Sequence, residues 1–342
     1  MAEAVIRVVA PQNLSGTWRI DTDTGLKVNK SSGTARHQFG ERVVTYRFFE
    51  PHLRGTAPKD GPQRVLVLGD SFTFGWLLDA EDTFVAHLQR YADAEFGADA
   101  FQFLNAACGG WGTGDYVAFV EEHAARIEPD LLLVFFSFDD IGRSMKRSLY
   151  TFADEEGGAL QRVRRPASRL KRAVNALFFY QWLLEHSHLV QFARNAAVIL
   201  TTSPGHPRPA TPSVPAGSPA GAVEADSARA TRLGRALFRR LKAWSDRHGA
   251  APYVIAVDPG DPALRSTSQD PTGMFLAAAP AVFGELDIPY FDASPGIWAR
   301  KRRAPGRYEL PGDLHPNEAG ARLIAEEAWP FVRTILSNHR AE

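Results

Sequence analysis

The sequence predicts an α/β protein built on a doubly wound, mostly parallel sheet of five strands. Three observations predict it. Five short apolar runs recur along the chain, and helical periodicity fills the intervals between them. The first run, Val65–Leu68, is apolar at consecutive positions, as suits a strand covered on both faces.

Residues 1–60 come before this alternation. They are rich in Thr, Arg, Gly and β-branched residues, and Glu41–Phe49 reads as a strand. We expect a small β-rich N-terminal extension. Residues 61–143 and 230–342 form the α/β domain. Its first strand is Val65–Leu68, followed by a helix at Thr83–Glu95 with Phe84, Leu88 and Tyr91 on one side. The second strand is Phe101–Leu104, then a helix near Tyr116–Ile127, then a third strand at Leu131–Phe136. The alternation resumes with a helix at Ala230–His248 and a strand at Tyr253–Val257. A helix at Met274–Leu286, a strand at Pro289–Asp292 and a last helix at Glu318–Leu336 complete it. Ligand sites on such sheets lie at the carboxyl ends of the strands. No internal repeat is present.

Residues 144–229 interrupt the pattern and are expected to be a helical insert with a mobile loop. Gln161–Arg172 carries six cations and no acid, the pattern of a solvated basic face. Ala173–Leu200 is aromatic-rich and helical. Thr201–Ala225 holds six Pro and three Gly, too little apolar surface to order itself. A lid over the site and an insert without a role in the chemistry are both compatible with this composition.

Composition narrows the functional classes. The chain has 342 residues, 44% hydrophobic and 23% charged, which is ordinary for a soluble globular protein. Thirty-nine basic residues balance 39 acidic ones, so the surplus expected of a general nucleic-acid binder is missing. The single cysteine excludes an internal disulfide and any multi-cysteine zinc site. The most apolar stretch, Ala173–Leu200, carries too many polar residues for a membrane span of about 20 residues. Met1–Pro11 has no long apolar run, and we expect a cytoplasmic protein. No metal-ligand spacing, phosphate loop or dinucleotide fingerprint is present, so no metal or cofactor is expected. The sequence gives no indication of oligomeric state.

Three loops carry chemistry. In Leu68-Gly69-Asp70-Ser71-Phe72-Thr73-Phe74-Gly75 a serine directly follows an apolar strand. Its hydroxyl and backbone N–H then face one space at a strand-to-helix turn. Serine is a weak nucleophile and needs an adjacent base. Taken alone, Ser71 reads first as a helix cap with Asp70 supporting the turn, because such caps are common. Gly312-Asp313-Leu314-His315-Pro316-Asn317 places a histidine just before the last helix, with Asp313 two residues away to fix its tautomer. Asn105-Ala106-Ala107-Cys108-Gly109-Gly110-Trp111-Gly112 follows the second strand, and Gly110 is placed to donate an N–H to a developing oxyanion. Cys108 has no basic neighbour in the sequence and reads as a small packed residue.

Together these loops resemble the SGNH (GDSL) hydrolase superfamily, over about residues 64–336 apart from the insert. The resemblance implies a flavodoxin-like sheet and a catalytic triad. Ser71 would be the nucleophile, His315 the general base and Asp313 its orienting acid. It places Ser71, Gly110 and residue 139 around the oxyanion hole, with Asp70, Trp111 and Asp140 as candidate substrate contacts. The N-terminal segment also resembles the strand-rich leader of one bacterial branch, and the two-residue spacing of Asp313 and His315 is similar to that of acyltransferase-like members.

Two features depart from the pattern: in most relatives the triad Asp stands three residues before the His, whereas Asp313 stands two before His315, and the end of the third strand differs. The family ends its third strand with Gly-x-Asn-Asp, whereas this chain reads Phe136-Ser137-Phe138-Asp139-Asp140. An ionised carboxylate about 3 Å from an oxyanion repels it by about 5 kcal/mol at an effective dielectric near 20. A protonated Asp139 would donate instead, at a cost of about 4 kcal/mol for moving its pKa to neutrality. Pairing with a cationic substrate group is a third role. The expected function is therefore hydrolysis of a small-molecule or saccharide acyl ester through an acyl-Ser71 intermediate. An acyltransferase using the same acyl-serine, and a catalytically impaired binding protein, are the alternatives.

Overall fold

The computed structural model describes residues 1–341 except 11, 13, 15, 40, 138, 154–158, 165, 167–181, 184–185, 202–219, 259 and 268–270. The chain opens with helix α1 (Ala2–Val9) and hairpin β1 (Trp18–Ile20) and β2 (Lys27–Asn29). Three further strands follow: β3 (Gly33–Phe39), β4 (Arg42–Phe49) and the short β5 (Leu53–Arg54). The α/β alternation begins with β6 (Gln63–Leu68), α2 (Ser71–Phe74), α3 (Phe84–Phe96), β7 (Phe101–Asn105), α4 (Thr113–His123) and β8 (Leu131–Phe136). Then come α5 (Asp140–Arg147), hairpin β9 (Tyr150–Phe152) and β10 (Leu160–Arg162), α6 (His188–Thr201) and α7 (Ala220–His248). The chain ends with β11 (Ala251–Ala256), α8 (Pro271–Glu285), β12 (Tyr290–Asp292), α9 (Ser294–Arg303) and α10 (Glu318–Ala341).

Five strands are parallel in the order β7-β6-β8-β11-β12. Counted along the chain this is 2-1-3-4-5, the flavodoxin-like order. The strands are apolar throughout because both faces are covered. In β6, Leu66 and Leu68 face one core and Val65 and Val67 the other. In β8, Leu132, Val134 and Phe136 alternate in the same way with Leu131, Leu133 and Phe135. Helices α4, α7 and α8 cover the first face, and α3, α9 and α10 the second.

The N-terminal strands extend this same sheet. β5 pairs antiparallel with β7 at Arg54 and Asn105, and β4 and β3 continue outward to make eight strands. An uncovered β7 edge would present unpaired backbone groups, and the extension covers part of it. A third core lies beneath it, formed by Ala35, Val44, Tyr46, Phe48, Phe74, Leu77, Ala107 and Leu310.

In the insert, α7 begins at Ala220, ten residues before the helix read from the sequence, so 220–225 is not loop. The segment Ala220–Ala230 is rich in Ala, the strongest helix former, and the Pro count upstream obscured it. Most of the basic stretch 161–172, the first part of the aromatic stretch and residues 202–219 of the Pro-rich segment lie outside the described residues. Among the described residues no helix is long and apolar enough to cross a membrane.

Candidate active site

The loops after β6, β7 and β8 meet at the carboxyl ends of three adjacent strands, where the chain reverses its direction of winding. Gly69 ends β6 against Thr73, whose side chain leaves no room for a Cβ. Asp70 then caps α2, its Oδ1 accepting the Phe72 N–H at 2.9 Å. Ser71, the first residue of that turn, is 9% exposed.

His315 reaches Ser71 from the far end of the chain. Its Nε2 lies 2.8 Å from Ser71 Oγ and its Nδ1 2.5 Å from Asp313 Oδ1. The same carboxylate oxygen accepts the His315 backbone N–H at 2.8 Å, which is how an acid only two residues away reaches the ring. With Nδ1 donating to the carboxylate, Nε2 is left to accept the serine proton. Phe72 and Trp76 flank the imidazole, with ring centroids 5.2 and 4.6 Å from it.

Gly110 takes a positive φ of 74°, which favours glycine. Among the described residues no acceptor takes the N–H of Ser71 or of Gly110, so both donors are unclaimed. Cys108 is buried, and burial pushes its thiol up to about 12, which leaves it inert.

Asp70, Trp111 and Asp140, expected as substrate contacts, are all fully buried. Trp111 packs into the first core with Tyr116 and Phe119, and its Nε1–H donates to Lys27 O. Asp140 folds back to accept the Ser137 N–H at 2.7 Å. Burial, then the charge of Asp70, pushes its carboxyl well above the ordinary range. All three are supporting residues, because closing the turns around Ser71 and Gly110 consumes their side chains.

Asp139 is not free to meet a cationic substrate. Its Oδ2 lies 3.3 Å from Arg143 Nε, one helical turn along α5. Arg143 Nη1 also donates to Asp70 Oδ2 at 2.9 Å and to Trp111 O at 3.0 Å, and stands 3.8 Å from Asp140 Oδ1. One guanidinium therefore ties together the turns that follow β6, β7 and β8. Sequence reasoning missed it, although the i, i+4 spacing of Asp139 and Arg143 at a helix start was a readable signal.

The extension grips both loops beside Ser71. Arg42 Nε donates to Leu77 O at 2.6 Å, and the Leu77 N–H donates to Tyr46 Oη at 2.9 Å. Arg54 donates to Gly75 O and Leu78 O. Asn29 Nδ2 donates to Ala107 O at 2.9 Å, and Lys27 Nζ to Gly109 O at 2.5 Å. Among the described residues no group of three or more His, Cys, Asp or Glu is arranged to hold a metal.

The model of the GDSL-like lipase/acylhydrolase family matches residues 67–323. Solved structures with a similar fold include TesA, at 14% identity and a TM-score of 0.45, covering 80% of this chain and 99% of that one. The psychrotrophic esterase EstA from Pseudoalteromonas sp. has 14% identity and a TM-score of 0.44, covering 80% and 99%. A catalytic mutant of Axe2, an acetylxylan esterase from Geobacillus stearothermophilus, has 12% identity and a TM-score of 0.45, covering 82% and 96%. No curated protein sequence matches.

Proposed function

This chain belongs to the GDSL-like lipase/acylhydrolase family, and from that premise we propose that it hydrolyses an acyl ester of a small molecule or saccharide through an acyl-Ser71 intermediate. The observation that carries the reading is the hydrogen-bonded series Ser71 Oγ, His315 Nε2, His315 Nδ1, Asp313 Oδ1.

Ser71 Oγ attacks the acyl carbonyl carbon while its proton passes to His315 Nε2. Asp313 fixes the ring and stabilises the imidazolium. The carbonyl π electrons move to oxygen, and the unclaimed N–H groups of Ser71 and Gly110 receive that oxyanion. Collapse of the tetrahedral adduct breaks the C–O bond, and the leaving alkoxide takes the proton from His315. Water then attacks the acyl-serine, His315 takes its proton, and a second collapse returns the proton to Ser71 Oγ and releases the carboxylic acid. Arg143, whose guanidinium is shared with Asp70, lies 3.3 Å from the Asp139 carboxylate that replaces the family's Asn and offsets part of its charge.

The test is intact-mass analysis after a fluorophosphonate probe. A single adduct is expected on the wild type and none on Ser71→Ala. Labelling that persists in Ser71→Ala, or turnover of a chromogenic ester by that variant, overturns the reading.

A further inference from the structure

The N-terminal hairpin touches the candidate oxyanion loop through a cation. Lys27 lies on β2, and its Nζ donates to the carbonyl of Gly109 at 2.5 Å. The hairpin fixes the loop at three further points. Trp111 Nε1 donates to Lys27 O at 2.5 Å, Asn29 Nδ2 donates to Ala107 O, and Trp18 lies so close to Gly109 that a Cβ there would sit 2.5 Å from its ring. The ammonium stands 4.4 Å over the Trp18 ring.

The carbonyl of Gly109 and the N–H of Gly110 belong to one planar trans peptide. Oxygen and hydrogen point in opposite directions across it. Anchoring the oxygen on Lys27 therefore sets the direction of the hydrogen. A charge-assisted bond to the oxygen also draws electron density along the peptide and strengthens the N–H as a donor. That N–H is one of the two left unclaimed beside Ser71.

Among the described residues no carboxylate pairs with Lys27. The groups facing its ammonium are Cys108, Arg147, Asp115, Arg143 and the Trp18 ring, and the Asp115 carboxylate is already bound to Arg147.

We propose that Lys27 is a positioning residue for catalysis: it aims and polarises the Gly109–Gly110 peptide so that the Gly110 N–H binds the oxyanion more tightly than the ground-state carbonyl. This rests on the reading of Gly110 as an oxyanion donor in the proposed ester hydrolysis. An interaction that strengthens as charge develops acts on kcat rather than KM.

The experiment compares the wild type with Lys27→Met, Lys27→Arg and Ser71→Ala, each checked for melting temperature. Ester turnover is followed across pH, together with glycine-selective ¹⁵N spectra of the full chain. Lys27→Met should lose about tenfold in kcat at unchanged KM, less than the loss of a direct oxyanion donor. The Gly110 amide resonance should move with it. Lys27→Arg should recover most of kcat and return the resonance. Burial pushes the Lys27 pKa down, so the wild type should lose rate on the alkaline side as the ammonium deprotonates. Lys27→Arg should carry that limb to higher pH and Lys27→Met should abolish it. If Lys27→Met fails to fold, the alkaline shift in Lys27→Arg decides alone. Unchanged kcat in Lys27→Met, or a loss with the same alkaline limb in all three active proteins, overturns the proposal. Turnover by Ser71→Ala would instead overturn the acyl-serine reading.

Discussion

Trp76 lies with its indole against the imidazole of His315, ring centroids 4.6 Å apart, while its Nε1–H points away to His37 Nε2 at 3.2 Å. The contact links the third N-terminal strand to His315, the proposed general base, through one side chain. An aromatic pair of this kind contributes about 0.5–1.5 kcal/mol beyond area burial. Trp76→Ala is therefore expected to lower kcat roughly 2- to 10-fold without abolishing fluorophosphonate labelling. A loss of more than about 10³-fold would mean that Trp76 touches the reacting groups.

Asp313→Asn should cost far more. Asp313 Oδ1 holds both the ring and the backbone of His315, and an amide there stabilises the wrong tautomer. The expected fall in kcat is about 10⁴-fold, at nearly unchanged stability because both side chains are partly exposed. Steady-state kinetics and thermal melts on the same sample check it.

His37 makes stability depend on pH. Burial pushes its pKa down to about 4, and its neutral Nε2 accepts the Trp76 N–H. In the unfolded chain it takes a proton near pH 6.5, so between these values the unfolded state binds more protons. Stability conferred by neutral His37 is full above about pH 6.5 and is lost as pH falls toward 4. The loss is at most about 3 kcal/mol. Chemical denaturation at pH 7 and pH 4.5 should show a smaller difference in His37→Asn than in the wild type.

Arg143 and Asp139 should respond differently although they pair. Arg143→Met leaves the fully buried Asp70 carboxylate without its cation and should cost about 3 kcal/mol. Asp139 is a quarter exposed, so Asp139→Asn should change stability by less than about 1 kcal/mol. It should also raise kcat on a short-chain ester, by up to about tenfold, because a neutral donor replaces a carboxylate. A slower Asp139→Asn enzyme would show that the carboxylate has a role of its own in turnover.

The parallel sheet was legible because its strands are short, apolar and regularly spaced, as in Val65–Leu68 and Leu131–Phe136. The meeting of Ser71 and His315 was legible because their loops resemble two motif blocks of one family, and because the first strand and the last helix can meet at one end of a doubly wound sheet. The extension was legible as strands but not as part of the main sheet. Its pairing rests on the two-residue strand Leu53–Arg54, too short to show any periodicity. The buried state of Trp111 and Asp140 was hidden because residue type says little about direction once a chain leaves a strand. Only the Asp139 contact of Arg143 was readable; Asp70 and Trp111 lie in two loops distant in sequence, and only the fold brings them to it.

The two atoms that define the site, Ser71 Oγ and His315 Nε2, are separated by 244 residues of chain. During synthesis at about 5–20 residues per second, roughly 12–50 s pass between the emergence of one and of the other. Throughout that interval the serine stands at the end of its strand with no base beside it, and its hydroxyl is chemically idle. On the proposed reading, ester cleavage switches on only when the last loop docks. On that reading, a nascent or C-terminally clipped chain would carry Ser71 without the base it needs.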